Sequence, residues 1–313
     1  MTARASGLAA GVLLAGVLAA GPARAYFEET AVGARTIALG SAAAAMVEDA
    51  SASYWNPAGL AGLGAPQVLF YAGRPYGIRD LGTSAVTFAM PLAGFGVAAG
   101  WHHLGITDVY GEDQLTLAAG REVWSGGGHR LAAGATFKFG RVGFQPFTDR
   151  ASGAEVDFGS LSKGSLDVGA HWKSPGRLAA AWVLRDVLQP DYEFIPGSGG
   201  GKVHARQEIS AIYHWNREST VSLGWREIDG VGDTALDAGL EIWFYDVFAI
   251  RSGFRNLAVV TDSQGSPNEL SFSGGFGIRE RNWQIDAAAT TQRDLGASYR
   301  VSLLIPLRFG GAQ

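Results

Sequence analysis

The chain of 313 residues contains no cysteine. That excludes disulfides, thiolate metal sites and a lipid anchor on an N-terminal thiol. Basic residues are scarce as well: 25 Lys and Arg stand against 29 Asp and Glu, a formal net charge of −4. A nucleic-acid binder shows a basic patch or stripe, so that class is set aside. No apolar run makes a convincing membrane helix, which needs ~20 residues. The nearest is Gly82 to Trp101, twenty residues without a charge, but Pro91 and Gly94 sit at its centre. Val86, Phe88 and Met90, then Phe95, Val97, Ala99 and Trp101, alternate on either side, which predicts a hairpin turning at Pro91–Gly94.

Recognisable catalytic chemistry is also missing. Gly197 to Lys202 has the composition of a phosphate loop, but position 196 is Pro where Gly is needed, and Val203 replaces the metal-binding Ser or Thr. His102 and His103 lie near Asp108 in sequence, yet adjacent strand residues point to opposite faces and cannot easily share one ligand. A lipid hydrolase would need a Ser–His pair near the outer rim, and His102, His103 and His204 have no fixed spacing to a serine. The expectation is a protein that is not an enzyme and needs no nucleotide, metal or redox cofactor.

What is present begins with an export leader. Arg4 supplies the positive end, Leu8 to Ala20 the apolar core, and Ala23-Arg24-Ala25 a cleavage site, so residues 1–25 read as a signal peptide and the mature chain starts at Tyr26. The two leader arginines removed from 25 leave 23 basic against 29 acidic residues, a net charge near −6. Glycine is abundant, at 45 residues with no collagen-like period. In strands it marks turns, bends and close backbone approach.

The dominant signal is period-two alternation. In the last stretch Tyr299, Val301, Leu303, Ile305, Leu307 and Phe309 alternate with Ser298, Arg300, Ser302, Leu304, Pro306 and Arg308. One face of such a strand meets something apolar and the other something wet. Strands are expected at Pro66–Arg74, Gly82–Met90, Gly94–Leu104, Gln114–Trp124, Arg130–Arg141, Ser165–Lys173, Arg177–Asp186, Arg206–Trp215, Thr220–Glu227, Thr234–Phe244, Val247–Asn256, Glu269–Arg279, Trp283–Gln292 and Ser298–Phe309. Connections alternate between short and long, as in a barrel with short periplasmic turns and longer outer loops. The fold expected is all-β: a transmembrane antiparallel up-and-down β-barrel of about fourteen strands over residues 66–309, with a tail at 310–313.

One parity carries Phe137, Phe139, Leu178, Trp182, Ile209, Leu223, Leu240 and Phe276, suited to lipid. Charges enter that parity only at strand ends, as Arg141, Asp186 and Glu227, and at Arg121, where a bulge or a snorkelling side chain is expected. The other parity carries Lys138, Asp167, Arg185, Glu208, Arg226, Asp237, Glu241, Arg251, Arg255, Asp286 and Arg300. Mixed charges there predict an ion-pair network across the lumen.

A fourteen-strand barrel tilted by ~40° has a backbone radius of ~14 Å, too wide for strand side chains to fill. Residues 26–65 lack strand alternation and are rich in Ala and Ser, so they are expected to pack inside as a plug. Asp49 is placed to cap a short helical turn toward Tyr54.

These residues carry a family resemblance. Gly33-Ala34-Arg35, Ala38-Leu39-Gly40-Ser41-Ala42 and the run Glu48 to Leu60, with Asn56-Pro57-Ala58-Gly59 within it, resemble the N-terminal hatch of FadL-type outer-membrane proteins, the PorV/PorQ branch in particular. Looser likenesses are Asp167-Val168-Gly169, Gly239-Leu240-Glu241, Ala249 to Phe254 and Leu295 to Arg300. The resemblance implies residence in the outer membrane of a Gram-negative cell and a fourteen-stranded barrel plugged by its N-terminus. It also implies one of two jobs: carrying hydrophobic molecules such as fatty acids or aromatic hydrocarbons, or holding exported proteins as a secretion-system partner. The transport reading is favoured here. Asn56, Pro57, Ala58, Gly59 and Asp49 would form the gate. Tyr54, Trp55, Phe144, Phe147, Tyr192 and Phe194 are candidate apolar ligand contacts. Gly94, Gly96 and Gly100 are a candidate wall kink, with close packing of the hatch against Cβ-free positions as the alternative. The loops Val142–Gly164 and Val187–Ala205 are shorter than the helical hairpin that gathers ligand in the transporters.

Overall fold

A computed structural model describes residues 26–27, 31–148, 153–195, 197, 201–227, 234–260, 270–292 and 296–307. The leader, Phe309 and the C-terminal tail lie outside the described residues. The chain forms β1 (Gln67–Arg74), β2 (Leu81–Leu92), β3 (Phe95–Ile106), β4 (Tyr110–Gly126), β5 (His129–Phe144), β6 (Phe147–Thr148), β7 (Glu155–Val156), β8 (Ser160–Lys173), β9 (Leu178–Arg185), β10 (Arg206–His214), β11 (Ser219–Glu227), β12 (Thr234–Phe244), β13 (Phe248–Val260), β14 (Ser271–Glu280), β15 (Trp283–Gln292) and β16 (Gly296–Pro306). Fourteen of these close into one antiparallel barrel, and β6 and β7 make a small separate ribbon within the β5–β8 connection. Closure runs from Gln67↔Pro306 to Arg74↔Tyr299, so the barrel has no free edge.

The fourteen stretches expected from alternation each correspond to a barrel strand, but several of their outer ends, notably in β2–β5, β8, β13 and β16, run further. β4 begins at Tyr110 rather than Gln114, and β5 extends to Phe144 rather than Arg141. Beyond the apolar band both faces of these strands carry polar residues or glycine, so the apolar alternation stops while the ladder continues. The β2–β3 turn is Ala93-Gly94, with φ of 50° and 83°, the left-handed pair that a two-residue hairpin requires. β2 therefore runs on through Pro91 and Leu92.

Outward positions are apolar and exposed: Leu117 is 63% and Phe137 48% exposed. A closed barrel with this exterior is suited to hydrocarbon rather than water. Arg121 lies on that exterior with its guanidinium 4.9 Å from the Phe95 ring centroid, beside a register shift between Glu122 and Trp124. Asp186 departs from expectation. β9 ends at Arg185, and Asp186 takes φ 54°. That turn carries its carboxylate to the Lys138 ammonium, so it is buried rather than at the lipid edge. His102 and His103 point to opposite faces, the first to Thr83 Oγ1 (2.9 Å) and the second to Asp113 (2.9 Å).

Candidate functional site

Between Ala31 and Leu63 the chain runs around the inner face of the barrel, and the wall is shaped to receive it. Gly96↔Gly120, Gly120↔Gly134 and Gly134↔Gly169 are direct cross-strand pairs, so one glycine from each of β3, β4, β5 and β8 forms a continuous inward row. Leu60 lies on Gly96, Pro57 on Gly120 and Gly134, and Asn56 on Gly169, each so close that any Cβ would come within 3.0 Å of these residues. A second seat is the pair Gly239↔Gly253 on β12 and β13. Leu39 and Gly40 (φ 67°) drop into it. Gly40 N–H donates to Ser273 Oγ (3.0 Å), whose hydroxyl lies 3.1 Å from the Ala38 carbonyl.

Polar wall residues hold the backbone between the seats. Arg185 donates to the carbonyls of Tyr54 (2.6 Å) and Trp55 (2.9 Å), Thr136 to that of Ser53 (2.8 Å), and Ala45 N–H donates to Ser210 Oγ (2.8 Å). The short helix Ala34–Ala38 is anchored electrostatically. Arg35 meets both oxygens of Glu241 at 2.8 Å, Arg251 reaches the same carboxylate at 2.7 Å, and Arg251 also pairs with Asp286 at 2.8 Å. A second network joins Lys138 to Asp167 and Asp186, and Arg185 to Glu208. Buried pairs of this kind leave a costly lone charge when one member is removed.

Asn56 is fully buried. Its amide donates to the Ala44 (3.2 Å) and Ala170 (3.3 Å) carbonyls, and its carbonyl accepts Ala58 N–H (3.1 Å) at the start of the 3₁₀ turn Pro57–Gly62. Asn56 thus ties two stretches of the segment to β8. Gly59 packs against the Val47 carbonyl. Asp49 accepts from Ser51 N–H (2.8 Å), one residue before the helix Ala52–Trp55. Ser51 occupies the N-cap position, so Asp49 shapes the turn into that helix rather than capping it.

The candidate ligand contacts separate into two groups. Trp55 is buried, with its indole N–H donated to the Val32 carbonyl (2.6 Å). It and Tyr54 pack edge-on at 5.3 Å beneath the Arg185 guanidinium. Above them is a cavity of about 100 Å³ into which Arg185, Arg206, Arg226, Arg255 and Arg300 project. The other four join one chain of ring contacts at the outer mouth. Phe147 touches Phe158 (6.1 Å), Phe158 touches Phe144 (5.8 Å), Phe144 touches Phe194 (5.1 Å), Phe194 touches Tyr26 (6.1 Å), and Tyr192 touches both Tyr26 (5.8 Å) and Phe27 (5.3 Å). Phe147 is 49% exposed and Tyr192 2%, so the chain leads from surface to interior. Phe27 N–H ends it, donating to Glu112 at 2.7 Å.

Charge tunes this mouth. Burial pushes the Asp186 carboxyl up, but the Lys138 ammonium and Arg206 more than offset it, leaving it below the ordinary range. Burial raises the Tyr192 hydroxyl, and the Asp186 carboxylate adds to that rise.

The three candidate wall-kink glycines fall in different settings. Gly94 sits in the turn, Gly96 receives Leu60, and Gly100 faces the Thr87 and Thr116 hydroxyls. β3 pairs with β4 without a break from Gly96 to Ile106. The shortest seam is β8–β9, six pairs from Val168↔Leu184 to Lys173↔Ala179, although β8 has 14 residues. Sequence reasoning offered hatch packing at Gly96 as an alternative to a kink but missed Gly120, Gly134, Gly169, Gly239 and Gly253. Their signal was glycine on the inward parity of neighbouring strands.

No protein-family model matches this sequence, and no curated protein matches it. Solved structures do share its fold. The monoaromatic hydrocarbon channel CymD superposes with a TM-score of 0.63 at 10% identity, over 90% of this chain and 99% of that one. The Pseudomonas putida toluene transporter TodX gives 0.59 at 8% identity, over 90% and 100%. A Pseudomonas aeruginosa FadL homologue gives 0.55 at 12% identity, over 85% and 96%. The fold is that of these barrels.

Proposed function

We propose that this chain is exported to the outer membrane and admits hydrophobic small molecules, with residues 26–65 acting as the hatch that closes its lumen. The observation that carries this reading is the unbroken series of aromatic contacts from exposed Phe147 to buried Phe27. A soluble ligand needs no such path, whereas an apolar one loses little on stepping from ring to ring. The fold shared with hydrocarbon channels supports the same reading.

Closure is tight. A cavity of about 100 Å³ walled by five arginines is smaller than the ~150 Å³ apolar void that accepts benzene. Passage therefore requires part of the hatch or the loop around Tyr192 to move. The β8–β9 seam is the place where the wall offers least resistance, because above Leu184 the ladder gives way to single contacts such as Val187 N–H to the Leu166 carbonyl (2.9 Å).

The test is uptake of radiolabelled toluene and oleate by cells producing the full chain, compared with the Tyr192→Ser and Phe194→Ser variants, together with mass spectrometry of molecules that co-purify. Uptake that falls several-fold in the variants supports the proposal. A second reading, a surface barrel that holds exported proteins, draws on rim residues Ile78, Val109, Leu188 and Ile195, each about half exposed. Recovery of a stable protein partner, with no apolar ligand and unchanged uptake, selects that reading instead.

A further inference from the structure

The exterior of β2–β5 changes character in three successive outward-facing rows. The last apolar row is Val86↔Trp101↔Leu115↔Phe139, the next is Ser84↔His103↔Asp113↔Arg141, and the third is Gly82↔Gly105↔Gly111↔Gly143. Two residues along a strand tilted by ~40° rise by about 5 Å along the barrel axis. The polar row thus stands ~5 Å above the last apolar row, within a headgroup layer of ~5–8 Å, and the glycine row ~10 Å above it, just beyond that layer.

A groove of about 790 Å³ opens at this row, although the Tyr110 carbonyl and the His103 ring cover Gly105 and Ser160 lies close over Gly143. Next to Gly82 there is open space, and over Gly111 the nearest neighbour is the edge of the His103 ring. Three guanidiniums border the groove, those of Arg74, Arg79 and Arg141, and the carboxylates of Asp80, Asp108 and Asp113 line it as well, so it offers anion donors and hydroxyl acceptors side by side. All three arginine side chains are exposed, and none has an ion pair or hydrogen bond to another described residue. The carboxylate of Asp113 is held in place through one oxygen by His103 Nδ1 (2.9 Å) and the Trp101 indole N–H (3.1 Å).

We infer that this groove binds the phosphorylated saccharide headgroup of an outer-leaflet lipid. Guanidiniums match phosphate oxygens in pairs. Asp113, with its orientation fixed, accepts from a sugar hydroxyl. The open positions at Gly82 and Gly111 leave room for the headgroup beside the backbone, and the acyl chains continue down over Trp101, Leu115 and Phe139. Depth in the membrane, rather than chemistry alone, selects a lipid over a soluble phosphate or sugar. The inference requires the barrel to sit in a membrane with its long loops outward, but not that it transports anything.

The test is native mass spectrometry of the full chain in detergent, titrated with lipid A, phosphatidylglycerol or inorganic phosphate, and read only on protein with the heat-shifted gel mobility of a folded barrel. Arg79→Gln with Arg141→Gln removes charge, Gly82→Leu fills the groove without a clash, and Arg279→Gln, at the opposite end of the barrel, is the control. Lipid A occupancy is expected to fall tenfold or more in the first two variants and to hold in the third, with phosphatidylglycerol weaker throughout. Equal lipid A occupancy in all proteins overturns the proposal. So does phosphatidylglycerol binding as well as lipid A, or inorganic phosphate occupying the site alone.

Discussion

The glycine seats make a sharp prediction for Gly134→Ala. The new methyl group would stand 2.5 Å from Ala58 N and 2.6 Å from the Pro57 carbonyl oxygen, where ordinary contact begins near 3.4 Å. Pro57 and Ala58 must therefore retreat by close to 1 Å. Asn56 resists that retreat through its bonds to Ala44 and Ala170, and Arg185 through its bonds to Tyr54 and Trp55. Overpacking costs about 1–3 kcal/mol, and one stretched buried hydrogen bond adds ~1–3 kcal/mol. Replacing a strand glycine returns roughly 0.5–1 kcal/mol to the barrel. The docked segment should lose about 2–4 kcal/mol, a shift of roughly 30- to 1000-fold toward the undocked form.

Trypsin reads that shift at Arg35, since cleavage follows the population of the open form when closing is fast. The barrel should keep its heat-shifted mobility, because the mutated position leaves the ladder unchanged. Gly82→Ala, whose methyl meets nothing within 4 Å, is the control and should leave cleavage unchanged. If Gly134→Ala is cut at Arg35 no faster than the parent, the two seats do not release as one unit and the reasoning fails.

Glu241→Gln strips the shared carboxylate from Arg35 and Arg251 and should cost about 3–5 kcal/mol, seen as a lower temperature for loss of the gel shift. Asn56→Ala should destabilise the docked segment by ~2 kcal/mol through lost donors and a lost cap. Asn56→Asp should be worse, since it keeps the cap but buries a charge, and hydrogen exchange of Ala58 N–H separates the two. Asp186 has a folded-state pKa below its ordinary 3.8, so its contribution is present above that value and lost as pH falls through the lower one. Proteolysis of the loop around Tyr192 should rise on acidification below about pH 4, and Asp186→Asn should abolish that rise.

Much of the barrel was legible because lipid imposes a strict rule on one face of each strand. Leu115, Leu117, Phe137 and Phe139 alternate for that reason, and the rule ends where lipid ends. Tyr110 to Asp113 and Val142 to Phe144 therefore looked like loop, although hydrogen bonding carries the strands through them. Asp186 was misplaced because parity assumes a regular strand, and one left-handed residue reverses the direction of its side chain. Asn56-Pro57 could be singled out from its motif, but its role depends on Ala44 and Ala170, distant in sequence. Glycine was conspicuous in number and legible as a sign of close backbone approach, but not as a row. Gly96, Gly120, Gly134 and Gly169 become one feature only when the register places them side by side.

Where the proposed gate moves can be argued from how unevenly the N-terminal segment is held. Residues 34–60 are fixed by two glycine seats, a shared carboxylate and bonds from at least five wall residues. The contacts of Tyr26 and Phe27 with other described residues include ring contacts and a charge-assisted bond from Phe27 N–H to Glu112. Burying Phe27 contributes about 1.5–3 kcal/mol, and the bond to Glu112 a similar ~1.5–3 kcal/mol. An apolar ligand arriving along Phe144 and Phe194 can replace the first contribution ring for ring. The bond to Glu112 then remains to be overcome, whereas lifting Pro57 from its seat has no such compensation. The end of the segment should therefore yield first, with the seats unmoved. Phe27→Ala and Glu112→Gln should each speed uptake of labelled toluene about tenfold while leaving trypsin cleavage at Arg35 unchanged. Faster uptake accompanied by faster cleavage at Arg35 would place the gate at the glycine row and refute a separate outer gate.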